Sequence, residues 1–114
     1  MKRGEIWWAD LGAHRPHEQT GLRPAIVWQS DTLTSVLESV MIVPLTTNVD
    51  RAGLAGTVLL DPSDDGPTEP SVALAFQIRA VSKSRLRNRI RALTTDELDA
   101  LELATDEALG RSEP

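Results

Sequence analysis

Arg23 and Thr46 are the two side chains whose types and setting point most directly to chemistry. Arg23 closes the polar run Glu18-Gln19-Thr20-Gly21-Leu22-Arg23-Pro24 and leads into the apolar Ala25-Ile26-Val27-Trp28, while Thr46 follows Val40-Met41-Ile42-Val43 in the segment Pro44-Leu45-Thr46-Thr47. This places one arginine and one threonine at the ends of two adjacent strands. A guanidinium is a planar, permanently charged fork that matches phosphate oxygens, and a nearby hydroxyl can donate to or orient a reacting oxygen. The pair suits work on a phosphodiester. Each residue also has a plainer duty: Thr46 can bond local backbone in the turn after Pro44. Arg23 can form a surface ion pair with Glu18, worth only about 0–1 kcal/mol.

The elements that must hold these residues are short and β-rich. Gly4 to Asp10, containing Ile6-Trp7-Trp8, predicts a first strand, and Pro24 to Gln29 a second with apolar character on both faces. Between them, His14 to Gly21 is polar and punctuated by Pro16 and Gly21, a loop long enough to be functional. Asp31 to Glu38 fits either a loop or a short helical turn. Val40 to Val43 predicts a buried third strand ending at Pro44, which lacks the N–H a central strand needs. A polar turn follows over residues 48–56, then a fourth strand at Thr57-Val58-Leu59-Leu60 and an acidic loop from Asp61 to Pro70.

Alternation through Val72, Leu74, Phe76 and Ile78 predicts one fifth strand over Ser71 to Val81, with Gln77 and Arg79 on the face opposite those four. Ile90 to Leu93 fits a short sixth strand. Thr94-Thr95-Asp96-Glu97 then opens a helix by a capping box; Leu98, Leu101, Ala104 and Ala108 form its apolar stripe, Gly110 ends it and the last four residues fray. Strands followed by one terminal helix describe a mainly β, α+β domain spanning residues 1–114.

Composition bounds the function. With 40% hydrophobic and 25% charged residues the chain is ordinary for a globular protein, and with no cysteine it has neither disulfides nor thiolate metal sites. His14 and His17 lack the spacing of a metal-binding pair, so no metal or other cofactor is expected. No apolar run reaches the length of a membrane span, and the N-terminus lacks the apolar stretch of a signal peptide, which together predict a cytoplasmic protein without a membrane partner. The net charge of −5 disfavours non-specific binding to duplex DNA. The charge is segregated, however: Arg79, Lys83, Arg85, Arg87, Arg89 and Arg91 are six of the twelve basic residues and enclose no acid, whereas Asp96 to Glu107 carries six acids and no base. A small basic patch can then hold a few nucleotides.

Four segments in this order, Arg3-Gly4-Glu5-Ile6-Trp7-Trp8, Glu18-Gln19-Thr20-Gly21-Leu22-Arg23-Pro24, Pro44-Leu45-Thr46-Thr47 and Gln77-Ile78-Arg79, resemble the MazF/PemK family of toxin endoribonucleases from about residue 3 to residue 110. The resemblance implies a small SH3-like or CcdB-like barrel forming a two-fold homodimer. It further implies the toxin of a type II toxin–antitoxin pair, a metal-independent, sequence-selective nuclease that cuts single-stranded RNA, chiefly messenger RNA, leaving a 2′,3′-cyclic phosphate and a 5′-hydroxyl. Its protein partner is a cognate antitoxin that competes with RNA for the groove.

Such cleavage needs a base for the 2′-hydroxyl, positive charge on the pentavalent transition state and an acid for the leaving 5′-oxygen. Arg23 meets the second need. Its pKa above about 12 makes it a poor base in ordinary surroundings, although the family's matching arginine is given an acid–base role. Thr46 can donate to a non-bridging oxygen, an interaction worth about 3 kcal/mol when aimed at developing charge. Glu18 can serve as base or orient Arg23. Gln19, Gln77, Arg79, Ser71 and His17 are candidate substrate contacts: an amide can read a base edge, and a histidine can move a proton near neutrality. Three departures from the family pattern stand out. Glu69-Pro70 precedes Ser71 where an acid usually stands directly before the serine, His17 replaces a common serine, and Arg91-Ala92 replaces a common glycine.

Trp7, Trp8 and Trp28 can stack on bases, but in strands they must also build a core. Two other functions compete. A CcdB-like, non-catalytic inhibitor of gyrase would rely on the terminal helix and need no Arg–Thr pair, and an SH3-like binding module would have no activity at all.

Overall fold

In the computed structural model, which describes residues 1–13 and 16–111, seven strands and two helices follow one another in the order β1 (Glu5–Asp10), β2 (Leu22–Val27), α1 (Asp31–Val36), β3 (Ser39–Thr46), β4 (Thr57–Leu60), β5 (Ser71–Leu74), β6 (Arg79–Ser82), β7 (Leu86–Ala92) and α2 (Thr95–Leu109). Single 3₁₀ turns lie at Val49–Arg51, Ala75–Gln77 and Lys83–Arg85. His14 and Arg15 of the predicted loop, and the predicted frayed end from residue 112, lie outside the described residues. Arg111, the first of the four residues predicted to fray, donates its N–H to the Asp106 carbonyl at 2.9 Å. No helix among the described residues is long and apolar enough to cross a membrane.

The strands pair antiparallel in the order β4-β5-β3-β2-β1-β7, with β6 also on β3. β4 and β7 remain the two ends, so the predicted barrel is met as a barrel-like sheet that does not close on itself among the described residues. β3 is the hub. One edge pairs with β2, and the other pairs first with β6 (Ser39 to Ile42) and then with β5 (Leu45 and Thr46). Pro44 falls between those two ladders, where no N–H is called for, and this is why β3 runs through the proline to Thr46 instead of ending at it.

Core strands are apolar on both faces because the sheet is covered on both. Ile6, Ile26, Val43 and Leu45 pack with Leu60, Leu93, Leu101 and Ala104, whereas their neighbours Ala25, Val27 and Ile42 pack with Ala9, Val40 and Leu86. The predicted stripe of α2 meets the first cluster: Leu101 and Ala104 are buried, with Leu98 and Ala108 against them. Thr94 and Glu97 form the capping box and Gly110 takes the left-handed conformation at φ 78°.

Two further sequence expectations are corrected. Ser71 to Val81 is two strands broken at Ala75–Gln77: the Ala75 N–H makes the last bond in register with β4, to the Gly56 carbonyl at 2.9 Å, and the Ile78 N–H then turns back to the Ala75 carbonyl at 3.1 Å. Gln77 therefore lies in a turn, and Phe76 is outside the core at 43% exposure. The sixth strand begins at Leu86 and is a full edge strand, β7. Of the two readings open for Asp31 to Glu38, the helical one holds: α1 is capped by the Ser30 hydroxyl, which accepts from the Leu33 N–H.

Candidate active site

β2 and β3 bring Arg23 and Thr46 together. Their ladder pairs Ala25 with Pro44, and continuing that register two residues sets Arg23 opposite Thr46. Both line one small cavity of about 150 Å³, with Trp8, Glu69 and Ser71 in its walls.

Local bonds fix what each group can offer. Arg23 Nε donates to the Thr20 carbonyl at 2.7 Å, which pins the guanidinium plane, and among the described residues neither terminal nitrogen meets a carboxylate. The fork is thus oriented and left to bind an anion. The Thr46 hydroxyl accepts from the Asn48 N–H at 3.1 Å. Its turn duty and its catalytic reading are compatible, because accepting leaves the hydroxyl proton to donate elsewhere. Ser71, 2% exposed, spends its proton on the Glu69 carbonyl at 3.1 Å.

Glu18 is not the partner of Arg23. It pairs with Arg79, Nη1 to Oε2 at 2.5 Å, because the loop before β2 folds over β6. Arg79 Nη2 also donates to the Leu11 and Gln19 carbonyls at 3.1 and 3.3 Å. The Gln19 N–H donates to Gln77 Oε1 at 2.9 Å. His17, at φ 65°, lines with Glu18, Gln19, Gln77 and Arg79 a second cavity separate from that of Arg23 and Thr46.

The basic run is not a bare patch. Glu5 and Asp10 on β1, paired with β7, meet three of its arginines: Arg89 Nε lies 2.5 Å from Glu5, Arg87 3.3 Å and Arg85 3.9 Å from Asp10. Arg91 forks onto Glu97 at 2.7 and 3.1 Å, and Lys83 donates to the Thr34 carbonyl. The acids missing from the run in sequence come from neighbouring elements. Of the tryptophans, Trp28 is buried under the Arg3 guanidinium and donates to Thr105 at 2.8 Å, while Trp8 is 41% exposed beside Arg23.

Glu69 and Trp8 complete the small cavity. The signal for Glu69 was an acid two residues before Ser71, at the mouth of β5; for Trp8 alternation gave none, since it shares a face with the buried Ile6 yet is 41% exposed.

Residues 2–109 match the family described as PemK-like, MazF-like toxin of type II toxin–antitoxin systems. The chain belongs to that family. It is similar to the endoribonuclease EndoA of Bacillus subtilis, 33% identical over 109 residues covering 96% of this chain and 90% of that protein. It is also similar to the endoribonuclease MazF of Staphylococcus saprophyticus, 30% identical over 110 residues covering 96% and 92%. Among solved structures, MazF of Deinococcus radiodurans superposes with a TM-score of 0.80 at 25% identity over 96% of both chains. A mycobacterial endoribonuclease in complex with its cognate antitoxin gives 0.81 at 24% identity over 100% of this chain and 99% of that one, a likeness of fold.

Proposed function

We propose that this protein is the toxin of a type II toxin–antitoxin pair and a metal-independent, sequence-selective endoribonuclease acting on single-stranded RNA, as one domain over residues 1–114. The observation that carries this reading is Arg23 opposite Thr46 in one cavity, its fork oriented by Thr20 and free of any carboxylate among the described residues.

The 2′-oxygen attacks phosphorus, the bond from phosphorus to the 5′-oxygen breaks, and the products are a 2′,3′-cyclic phosphate and a 5′-hydroxyl. Arg23 holds two phosphate oxygens and offsets the charge that grows on them, and the Thr46 proton is donated to one of them. Glu69, the carboxylate in the cavity wall, takes the 2′-hydroxyl proton, and the 5′-oxygen leaves with a proton from solvent water. Glu18 and Arg79 hold the loop that positions Arg23. Gln19, Gln77 and His17 form the neighbouring wall for substrate, and Ser71 shapes the cavity.

The relatives named endoribonucleases support this reading. The partners are RNA, a second copy of the chain and a cognate antitoxin, as the mycobacterial neighbour has; the place of action is the cytoplasm. An inhibitor of gyrase or an inactive module would leave the Arg23–Thr46 arrangement without a task.

Purified protein is incubated with a long single-stranded RNA in EDTA beside Arg23→Ala, and fragment ends are mapped. Discrete cuts with cyclic-phosphate ends, lost in the variant, are expected. Intact RNA from a folded protein that still arrests growth would move the target to a protein.

A further inference from the structure

A second cavity, of about 540 Å³ and larger than that of Arg23 and Thr46, has walls that include His17, Gln19, Arg51, Phe76 and Gln77. Phe76 is the only phenylalanine in the chain, and the turn at Ala75–Gln77 rotates it out of the core onto this wall, 43% exposed. Arg51 stands over its ring at 5.5 Å, whereas Arg3 closes on Trp28 at 3.9 Å. The Arg51–Phe76 pair is loose. A half-exposed aromatic face with a guanidinium standing off it is a stacking platform for a nucleobase.

The amide beside it has a defined polarity. Gln77 Oε1 is held by the Gln19 N–H at 2.9 Å, so Nε2 is the group left to donate, and it reads an acceptor on a base edge. Chain connectivity ties this wall to the cutting site. Gln19 precedes Thr20, whose carbonyl pins Arg23, and Arg51 ends the turn that begins just after Thr46 and Thr47. Polar donors and cations around one flat ring favour a base over an apolar side chain of a protein partner, despite the exposed Val49 and Leu54 nearby in sequence.

We propose that this cavity is a specificity subsite in which one base flanking the scissile phosphate stacks on Phe76 beside Arg51 and presents an acceptor to Gln77 Nε2. The proposal rests on the endoribonuclease reading.

Its test compares wild type, Phe76→Ala, Phe76→Trp and Arg51→Ala, each verified as folded by circular dichroism. The probes are a randomised RNA pool for cleavage and the same pool 2′-O-methylated, which binds but cannot be cut. Phe76→Ala is expected to weaken binding of the methylated pool about tenfold and to flatten base preference at one position beside the cut, with Phe76→Trp restoring both. Wild-type cutting with Phe76→Ala unchanged in binding and preference would overturn the subsite and leave the nuclease standing. Phe76-dependent binding without cutting by wild type would do the reverse. Unchanged RNA binding with lost affinity for an acidic antitoxin segment would assign the ring to a protein partner and overturn the subsite.

Discussion

Arg79 Nη1 lies 2.5 Å from Glu18 Oε2, tying β6 to the loop before β2 across 61 positions of sequence. The same guanidinium holds the Leu11 and Gln19 carbonyls, so one side chain grips both ends of the loop whose Thr20 carbonyl supports Arg23. Arg79→Ala is expected to fold, to lower kcat/KM for RNA about tenfold and to speed proteolysis within the loop. Glu18→Gln should do much less, because an exposed ion pair contributes only about 0–1 kcal/mol. Steady-state cleavage with limited proteolysis checks this; unchanged values for Arg79→Ala would dismiss the grip.

Arg23 and Thr46 should separate by the kind of loss they cause. Arg23→Ala removes the cation that faces the phosphate and is expected to lower kcat by about 10²–10³, with the melting temperature little changed. Thr46→Val removes both the donated proton and the acceptor for the Asn48 N–H, lowering kcat and also stability by about 1 kcal/mol. Thr46→Ser keeps both bonds and should retain most activity. A fully active Thr46→Val would reduce Thr46 to its turn.

The features legible in sequence were those specified locally or by short-range pattern. Helix α2 was read from its capping box, its apolar stripe and Gly110 because all three are set by neighbours within a few positions. The break between β5 and β6 was not legible: Val72, Leu74, Phe76 and Ile78 do alternate, but β5 pairs with β4 and the end of β3 while β6 pairs with the start of β3, so the chain must turn at Ala75–Gln77 to pass from one ladder to the other. The bare appearance of Arg85, Arg87 and Arg89 failed for the same reason, since Glu5 and Asp10 lie on a strand some eighty residues earlier. At the candidate site, Arg23 and Thr46 were picked out by the family resemblance, since Thr46 by type alone reads first as a turn residue. Glu69, Trp8, Arg51 and Phe76 come from separate elements that only the fold assembles.

Gly4 tests the join between β1 and α2. Its φ is +87°, and its backbone is fixed by its N–H to Val27 at 2.7 Å and its carbonyl to the Leu93 N–H at 2.8 Å, so it cannot relax to another conformation cheaply. A Cβ there would also stand 2.7 Å from Leu98 Cδ2, which can swing aside. Gly4→Ala should therefore lose about 1–2 kcal/mol, chiefly from the left-handed backbone. Urea denaturation gives the value, and a change within ±0.3 kcal/mol would refute it.

Stability should fall in acid through specific carboxylates. Burial raises the Glu97 pKa, but the Arg91 fork and the Thr94 N–H outweigh it and hold the group below its ordinary value. Glu5 is likewise lowered, burial being overcome by Arg89 and its neighbours, and Asp10 is lowered first by the Gly12 N–H and then by Arg87 and Arg85. A carboxylate with a depressed folded pKa contributes stability that is complete above its unfolded pKa, about 4 to 4.5, and lost as pH falls through the folded value. The unfolding free energy should thus be steady from pH 7 to about 5 and decline below about 4.5. Glu97→Gln keeps an oxygen for the Thr94 N–H but loses the charge facing Arg91. It should be about 1 kcal/mol less stable than wild type at pH 7, with the gap narrowing as pH falls through the depressed folded value of Glu97. Chemical denaturation across that range decides it, and a gap of equal size at both ends would mean that the Arg91–Glu97 charge pair does not set the acid limit.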